Sequence, residues 1–121
     1  MANDLGQLVL AGTKTATCAL LWEYQAEGEP LPELDGLCII VDGRDRPLCI
    51  IETTDVTILP FSAVGDEHAA AEGEGDGSLA HWREAHRAFF VRRCAVLNRD
   101  FTPEAPLVCE RFRLVWPVAA L

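Results

Sequence analysis

The chain has 121 residues, 50% of them hydrophobic, with a formal net charge of -9, a composition that suits one domain with a real core and is too short for two. No run approaches the roughly 18 apolar residues of a membrane helix, and the opening Met1-Ala2-Asn3-Asp4 lacks the basic stretch of a secretory leader, so a cytoplasmic protein without a membrane partner is expected. The acidic field repels phosphates at long range, which excludes duplex DNA as an expected partner and confines nucleic-acid contact to a local patch.

In chain order, Asp4 to Ala11 reads as the tail of a helix with Leu5, Leu8 and Val9 on one side and Gly12 as its C-terminal stop. Thr13 to Thr17 follows as a loop, and Cys18 to Tyr24 reads as extended. Glu27-Gly-Glu-Pro-Leu-Pro is a turn-rich break. Leu37 to Val41 and Pro47 to Leu59 read as strands, joined as a hairpin across Asp42 to Arg46. A helical section comes next: a short piece over Phe61 to Val64, an Ala-rich helix over Glu67 to Glu72, and a longer helix from Ser78 to Arg93 with Ser78 as its cap. Trp82, Ala85, His86 and Phe89 recur at i, i+3, i+4 and i+7, which predicts that they form the core face, with Arg83, Glu84 and Arg87 outside. Leu107 to Trp116 is the last strand. The sum is a mixed α+β fold, a barrel-like sheet decorated with helices in one domain over residues 1–121.

Five cysteines are an odd number without CxxC spacing, so reduced thiols in apolar surroundings are expected in place of disulfides or a zinc knot. Arg83, Arg87, Arg92, Arg93, Arg111 and Arg113 are solvated faces or one local basic patch.

Lys14 is the only lysine; every other basic side chain except the histidines is arginine. An arginine stays charged and cannot act as a base, whereas a lysine that loses solvation can take a proton. Placed in Gly12-Thr13-Lys14-Thr15-Ala16-Thr17, this amine has hydroxyls around it, and Thr17 is within one tight turn of it. A second informative segment is His68-Ala-Ala-Ala-Glu72-Gly-Glu74-Gly-Asp76-Gly-Ser78, in which acids alternate with glycines. It fails as a calcium loop because the twelfth position is Arg83 in place of a bidentate glutamate. Glu72, Glu74 and Asp76 remain weak candidates for a divalent ion, with His68 on the same helical face as Glu72.

These segments together resemble the ASCH-domain family: Gly12-x-Lys14-Thr15-Ala16-Thr17, Asp55-Val56 before Pro60-Phe61, the Glu72-Gly-Glu-Gly-Asp76 loop with Ser78-Leu79-x-x-Trp82-Arg83-x-x-His86, and Val108-Cys109-Glu110-Arg111-Phe112. The resemblance covers nearly the whole chain. It implies a PUA-like small β-barrel with helices around a cleft, and an association with RNA or modified nucleosides. One bacterial branch is similar to N4-acetylcytidine amidohydrolases, and matching residue by residue makes Lys14, Thr17 and Glu72 the implied catalytic centre. Another branch, nearer in its EGEGD segment, implies a ribonuclease that depends on a divalent ion such as Mn or Mg; no cofactor is otherwise implied. Expected ligands are thus a modified nucleoside or short single-stranded RNA, contacted by Trp22, Tyr24 and Ser78, with Trp116 a further stacking candidate. A binding module without turnover is the third reading.

Chemically, a lysine amine that accepts the Thr17 proton, a threonine oxygen that attacks a carbonyl and a glutamate that hands a proton to the leaving amine would hydrolyse an amide. Cys18 is a rival nucleophile, although an apolar strand disfavours its thiolate. His86 reads as a core histidine.

Overall fold

The computed structural model describes residues 2–117, with side chains from Gly6 onward; the side chain of Leu5 and the end of the predicted domain lie outside what is described. Nine elements follow in order: α1 (Ala2–Leu10), β1 (Ala16–Leu20), α2 (Leu21–Glu27), β2 (Leu37–Val41), β3 (Pro47–Pro60), a 3₁₀ turn (Phe61–Ala63), α3 (Asp66–Glu72), α4 (Leu79–Val96) and β4 (Pro106–Trp116). The strands form one antiparallel sheet in the order β1-β4-β3-β2. β3 and β4 are its long spine, paired from Ile50 opposite Trp116 to Pro60 opposite Pro106, with register shifts at Ile50/Ile51 and Thr53/Asp55. Such irregularities add local twist and bend, and the sheet curls into the half-barrel with helices that the sequence leads one to expect.

Two apolar clusters hold the helices to the sheet. Leu20, Leu107 and Cys109 from the sheet meet Phe61, Val64, Ala69, Trp82, Phe90 and Cys94 from the helical section. Val9 of α1 meets Cys49, Ile51 and Phe112 in the second. Phe61 is the hinge of the larger cluster, stacked on Trp82 with ring centroids 5.4 Å apart and edge-on to Phe101 at 5.1 Å. Among the described residues no helix is long and apolar enough to cross a membrane.

Three expectations change. The segment Cys18 to Tyr24 is extended only as far as Leu20; Leu21–Glu27 is helical. Leu, Glu, Gln and Ala are good helix formers, and Gly28, at φ 64°, closes the helix with its N–H on Gln25 O and the Glu29 N–H on Tyr24 O. On α4 the inward row is Trp82, His86, Phe90 and Cys94, whereas Ala85 and Phe89 are exposed. An i, i+4 row of large rings fits the groove over Phe61 better than the broader stripe predicted, and Arg87 lies over the Phe61 and Phe101 rings at 5.8 and 5.7 Å. All five cysteines are free, yet Cys38 is exposed because β2 is an edge strand.

Candidate functional site

The lysine segment is stitched to three elements before its side chain is considered. Gly12, at φ 79°, ends α1, and the backbone N–H groups of Thr13 and Lys14 both donate to Leu8 O at 3.0 Å. The Thr15 N–H donates to Ala71 O of α3 at 2.6 Å, and Thr15 O accepts from Phe112 N of β4 at 3.0 Å. Lys14 therefore leaves a fixed backbone and runs inward, 7% exposed, to place Nζ 3.2 Å from Glu72 Oε1 and 3.1 Å from Glu74 Oε2.

Glu72 is the last residue of α3, and Gly73, at φ 68°, turns the chain back so that Glu74 reaches the same amine. A Cβ on Gly73 would collide with the Thr13 carbonyl. Gly73→Ala is thus expected to destabilise the domain by about 1–3 kcal/mol, from left-handed backbone strain plus the clash, measured as a lowered urea midpoint at unchanged m-value.

Glu72 itself is nearly solvent-free. Its Oε1 faces Lys14 and, at 3.4 Å, His86 Nε2; its Oε2 accepts from the Trp82 indole N–H at 2.7 Å and lies 2.8 Å from His68 Nε2. Burial works against the carboxylate, but hydrogen bonds from His68 and His86, the Lys14 charge and the Trp82 N–H outweigh it and hold the carboxyl far below its usual range. Burial also disfavours a proton on His86, and there the Glu72 contact and the Trp82 carbonyl win, raising His86 above its ordinary value. His86 stacks on Trp82, with centroids 4.4 Å apart, so the aromatic row of α4 that builds the core also supports the carboxylate.

Two cavities meet at Lys14 and Thr17. The smaller, about 340 Å³, is lined also by Cys18, Glu72, Glu74, Ala85, His86 and Phe89. The larger, about 580 Å³, runs across the concave side of the sheet under α1, between Val9, Ile40, Ile51 and Phe112 on its apolar walls and Tyr24, Thr53 and Glu110 as its polar groups. That volume lies in the range of small-molecule clefts.

The sequence-selected residues separate accordingly. Lys14, Thr17 and Glu72 share the smaller cavity, and Tyr24 lines the larger. Trp22 lines neither: it packs on the main core beneath the Arg99 guanidinium, 4.3 Å above its ring. Ser78 caps α4, accepting from His81 N at 3.1 Å, and also lines neither. Asp76 is exposed and accepts from Ser78 N at 2.9 Å, so its carboxylate is turned into a local Asx turn away from Glu72 and Glu74. Those two acids converge on Lys14. Trp116 is half-exposed near the far end of the β3–β4 pair.

Glu110 is a site residue that the sequence reading did not single out, and His86, read there as a core histidine, also lines the smaller cavity. Glu110 is paired across the strands with Thr17 and accepts from Thr53 Oγ1 at 2.6 Å. A single acid inside the apolar strand Leu107–Phe112 was its available signal.

A lysine pinned by two acids beside a cleft, on the inner side of a curled antiparallel sheet wrapped by helices, defines a PUA-like small barrel. The ASCH-domain family matches residues 1–116, and the chain belongs to that family, one associated with RNA binding. Among solved structures it is similar to an ASCH domain from Lactobacillus crispatus JV V101, at 41% identity and TM-score 0.88, covering 93% of this chain and 70% of that one. It is likewise similar to an Enterococcus faecalis V583 protein of the DUF984 family, at 44% identity and TM-score 0.84, covering 93% of this chain and 68% of that one. No curated protein matches.

Proposed function

We propose that this domain holds a modified nucleoside in the larger cleft and hydrolyses an N4-acetylcytidine-like amide at Lys14 and Thr17. The observation that carries the reading is that these two residues line both cavities at once, so the base and sugar have room on the concave side while the acyl group reaches the hydroxyl. Thr53 and Glu110 would orient the ligand, since a carboxylate on an otherwise apolar wall accepts from an N–H or O–H of the nucleoside.

In the resting site Lys14 Nζ lies between the carboxylates of Glu72 and Glu74, 3.2 and 3.1 Å away. Passing one proton to Glu74, 3.1 Å away with a side chain 32% exposed, frees the amine to take the Thr17 proton. The threonine oxygen then bonds to the acyl carbon, the C–N4 bond breaks, and the proton moves from Lys14 to the departing nitrogen. Water hydrolyses the threonine ester, releases the carboxylic acid and restores the hydroxyl. The proton-carrying part read for Glu72 passes to Glu74 in this scheme, because the hydrogen bonds and the Lys14 charge around Glu72 outweigh its burial and keep it ionised, so that it serves as the fixed anchor of the amine.

The test is turnover of N4-acetylcytidine by the pure protein with and without chelator, beside Thr17→Val. Release of cytidine that survives chelation and falls by about 10²-fold or more in the variant is the expected result. Binding of the nucleoside without any release would leave a recognition module, and cleavage of short single-stranded RNA only with manganese would replace the scheme by the ribonuclease reading.

A further inference from the structure

We propose that Cys18, Glu72 and His86 form a site for one borderline-soft divalent metal ion, with Zn²⁺ as the ion their chemistry favours. The residues come from β1, the end of α3 and the middle of α4, and one donor atom of each lies within 4.8 Å of the others. Thiolate with imidazole selects zinc or cobalt over the oxygen-loving magnesium and manganese. This site shares only Glu72 with the Glu72, Glu74 and Asp76 set and takes its other ligands from β1 and α4.

The tautomer of His86 is the strongest part of the case. Its Nδ1 lies 2.9 Å from the Trp82 carbonyl oxygen, which can only accept, so Nδ1 carries the proton. In a neutral ring Nε2 is then a bare lone pair, and it points at Glu72 Oε1, another lone-pair atom, from 3.4 Å. In the metal-free protein a proton on Nε2 makes this the hydrogen bond described above, with Lys14 Nζ beside Oε1 at 3.2 Å, and a divalent ion would take that proton's place between the two atoms. A backbone carbonyl on the far nitrogen is the usual orienting contact of a metal-binding histidine. The separation also fits: two ligands about 2.0–2.1 Å from a tetrahedral zinc are about 3.3–3.4 Å apart.

In the metal-free protein the surroundings disfavour the Cys18 thiolate, because burial and the Glu72 charge push its thiol up, so the thiol proton leaves only as the ion binds. Glu72 Oε2 is fixed by the Trp82 indole and His68, which leaves Oε1 as the coordinating oxygen. With Cys18 as thiolate, the anionic groups Cys18, Glu72 and Glu74 against the single Lys14 ammonium leave a net charge that one divalent ion neutralises. The 340 Å³ cavity bordered by Ala85 and Phe89 supplies the approach and an open fourth position. An ion held there draws Oε1 away from Lys14 and leaves the amine with Glu74 alone, so metal binding acts directly on the lysine whose role is proposed above, without depending on that role.

Titration of the metal-free protein with Co²⁺ and Zn²⁺, followed by absorption and calorimetry, tests the site. Expected are one equivalent of ion, a sulfur-to-cobalt charge-transfer band that zinc abolishes, no competition from Mg²⁺, and a weakening of about tenfold or more in Cys18→Ser and in His86→Gln. Cys38→Ser, an exposed thiol outside the cluster, should behave as wild type. No binding by the wild-type protein, or a band lost in Cys38→Ser and kept in Cys18→Ser, overturns the proposal. So does an affinity unchanged in a folded His86→Gln protein, with the melting curve as the check on folding.

Discussion

Glu72→Gln is expected to lower the unfolding free energy by about 3–5 kcal/mol at neutral pH, the cost of removing one partner from a buried ion pair. The glutamine keeps the volume but not the chemistry. Its amide oxygen can accept from some of the donors around it, whereas its NH₂ must face others of the same kind, and Lys14 loses its buried anion. The pH dependence separates this from ordinary packing loss. Because the folded carboxyl is held far below its unfolded value, its contribution is fully present above the usual glutamate range near pH 4.5 and disappears as the pH falls towards the depressed folded value. Wild type and variant should therefore differ most at neutral pH and converge only in acid. His86 has the opposite sign: its raised value stabilises the fold below its ordinary value of 6.5 and loses that contribution as pH rises through the folded value. Urea unfolding of both proteins across pH 3–8 measures both slopes; a gap that stays constant with pH would mean that Glu72 acts through shape and not charge.

That dependence exposes what the sequence makes legible and what it cannot. Strand boundaries were readable where turn residues punctuate apolar runs, as at Asp42 to Arg46 between β2 and β3, where Asp42 N donates to Arg46 O at 2.9 Å. Lys14 was readable by its rarity, and Thr17 and Glu72 through a family pattern. α2 was hidden because Leu-Trp-Glu-Tyr continues the apolar character of β1, and only Gly28 and the contacts of Trp22 with the core decide for a helix. Glu110 was hidden for a different reason: its meaning depends on cross-strand register, which places Thr17 beside it and Thr53 on it. The convergence of Cys18 and His86 on Glu72 joins three elements through long-range packing, and no local spacing encodes it. Conversely, Trp22 and Ser78 looked like ligand contacts by residue type, yet one was needed by the core and the other by a helix N-terminus.

The second large effect is expected from Lys14→Arg, which separates a base from a charge. A guanidinium keeps the positive charge and pairs well with carboxylates, so Glu72 and Glu74 remain neutralised and the fold is retained; what is lost is the ability to give up and take back a proton. If Lys14 works as proposed, kcat for the nucleoside amide falls by about 10²- to 10⁴-fold, the range of a lost general base, while affinity for the product nucleoside changes by less than about a factor of three, since no binding contact made by charge alone is removed. Lys14→Met should behave differently, leaving Glu72 with a buried charge lacking its amine and lowering stability together with activity. The comparison is made by steady-state kinetics and calorimetry on all three proteins. Turnover retained in Lys14→Arg would assign the residue to electrostatic placement of the ligand, and the same cleft would then be read as a site that recognises a nucleoside or an RNA end by charge and shape.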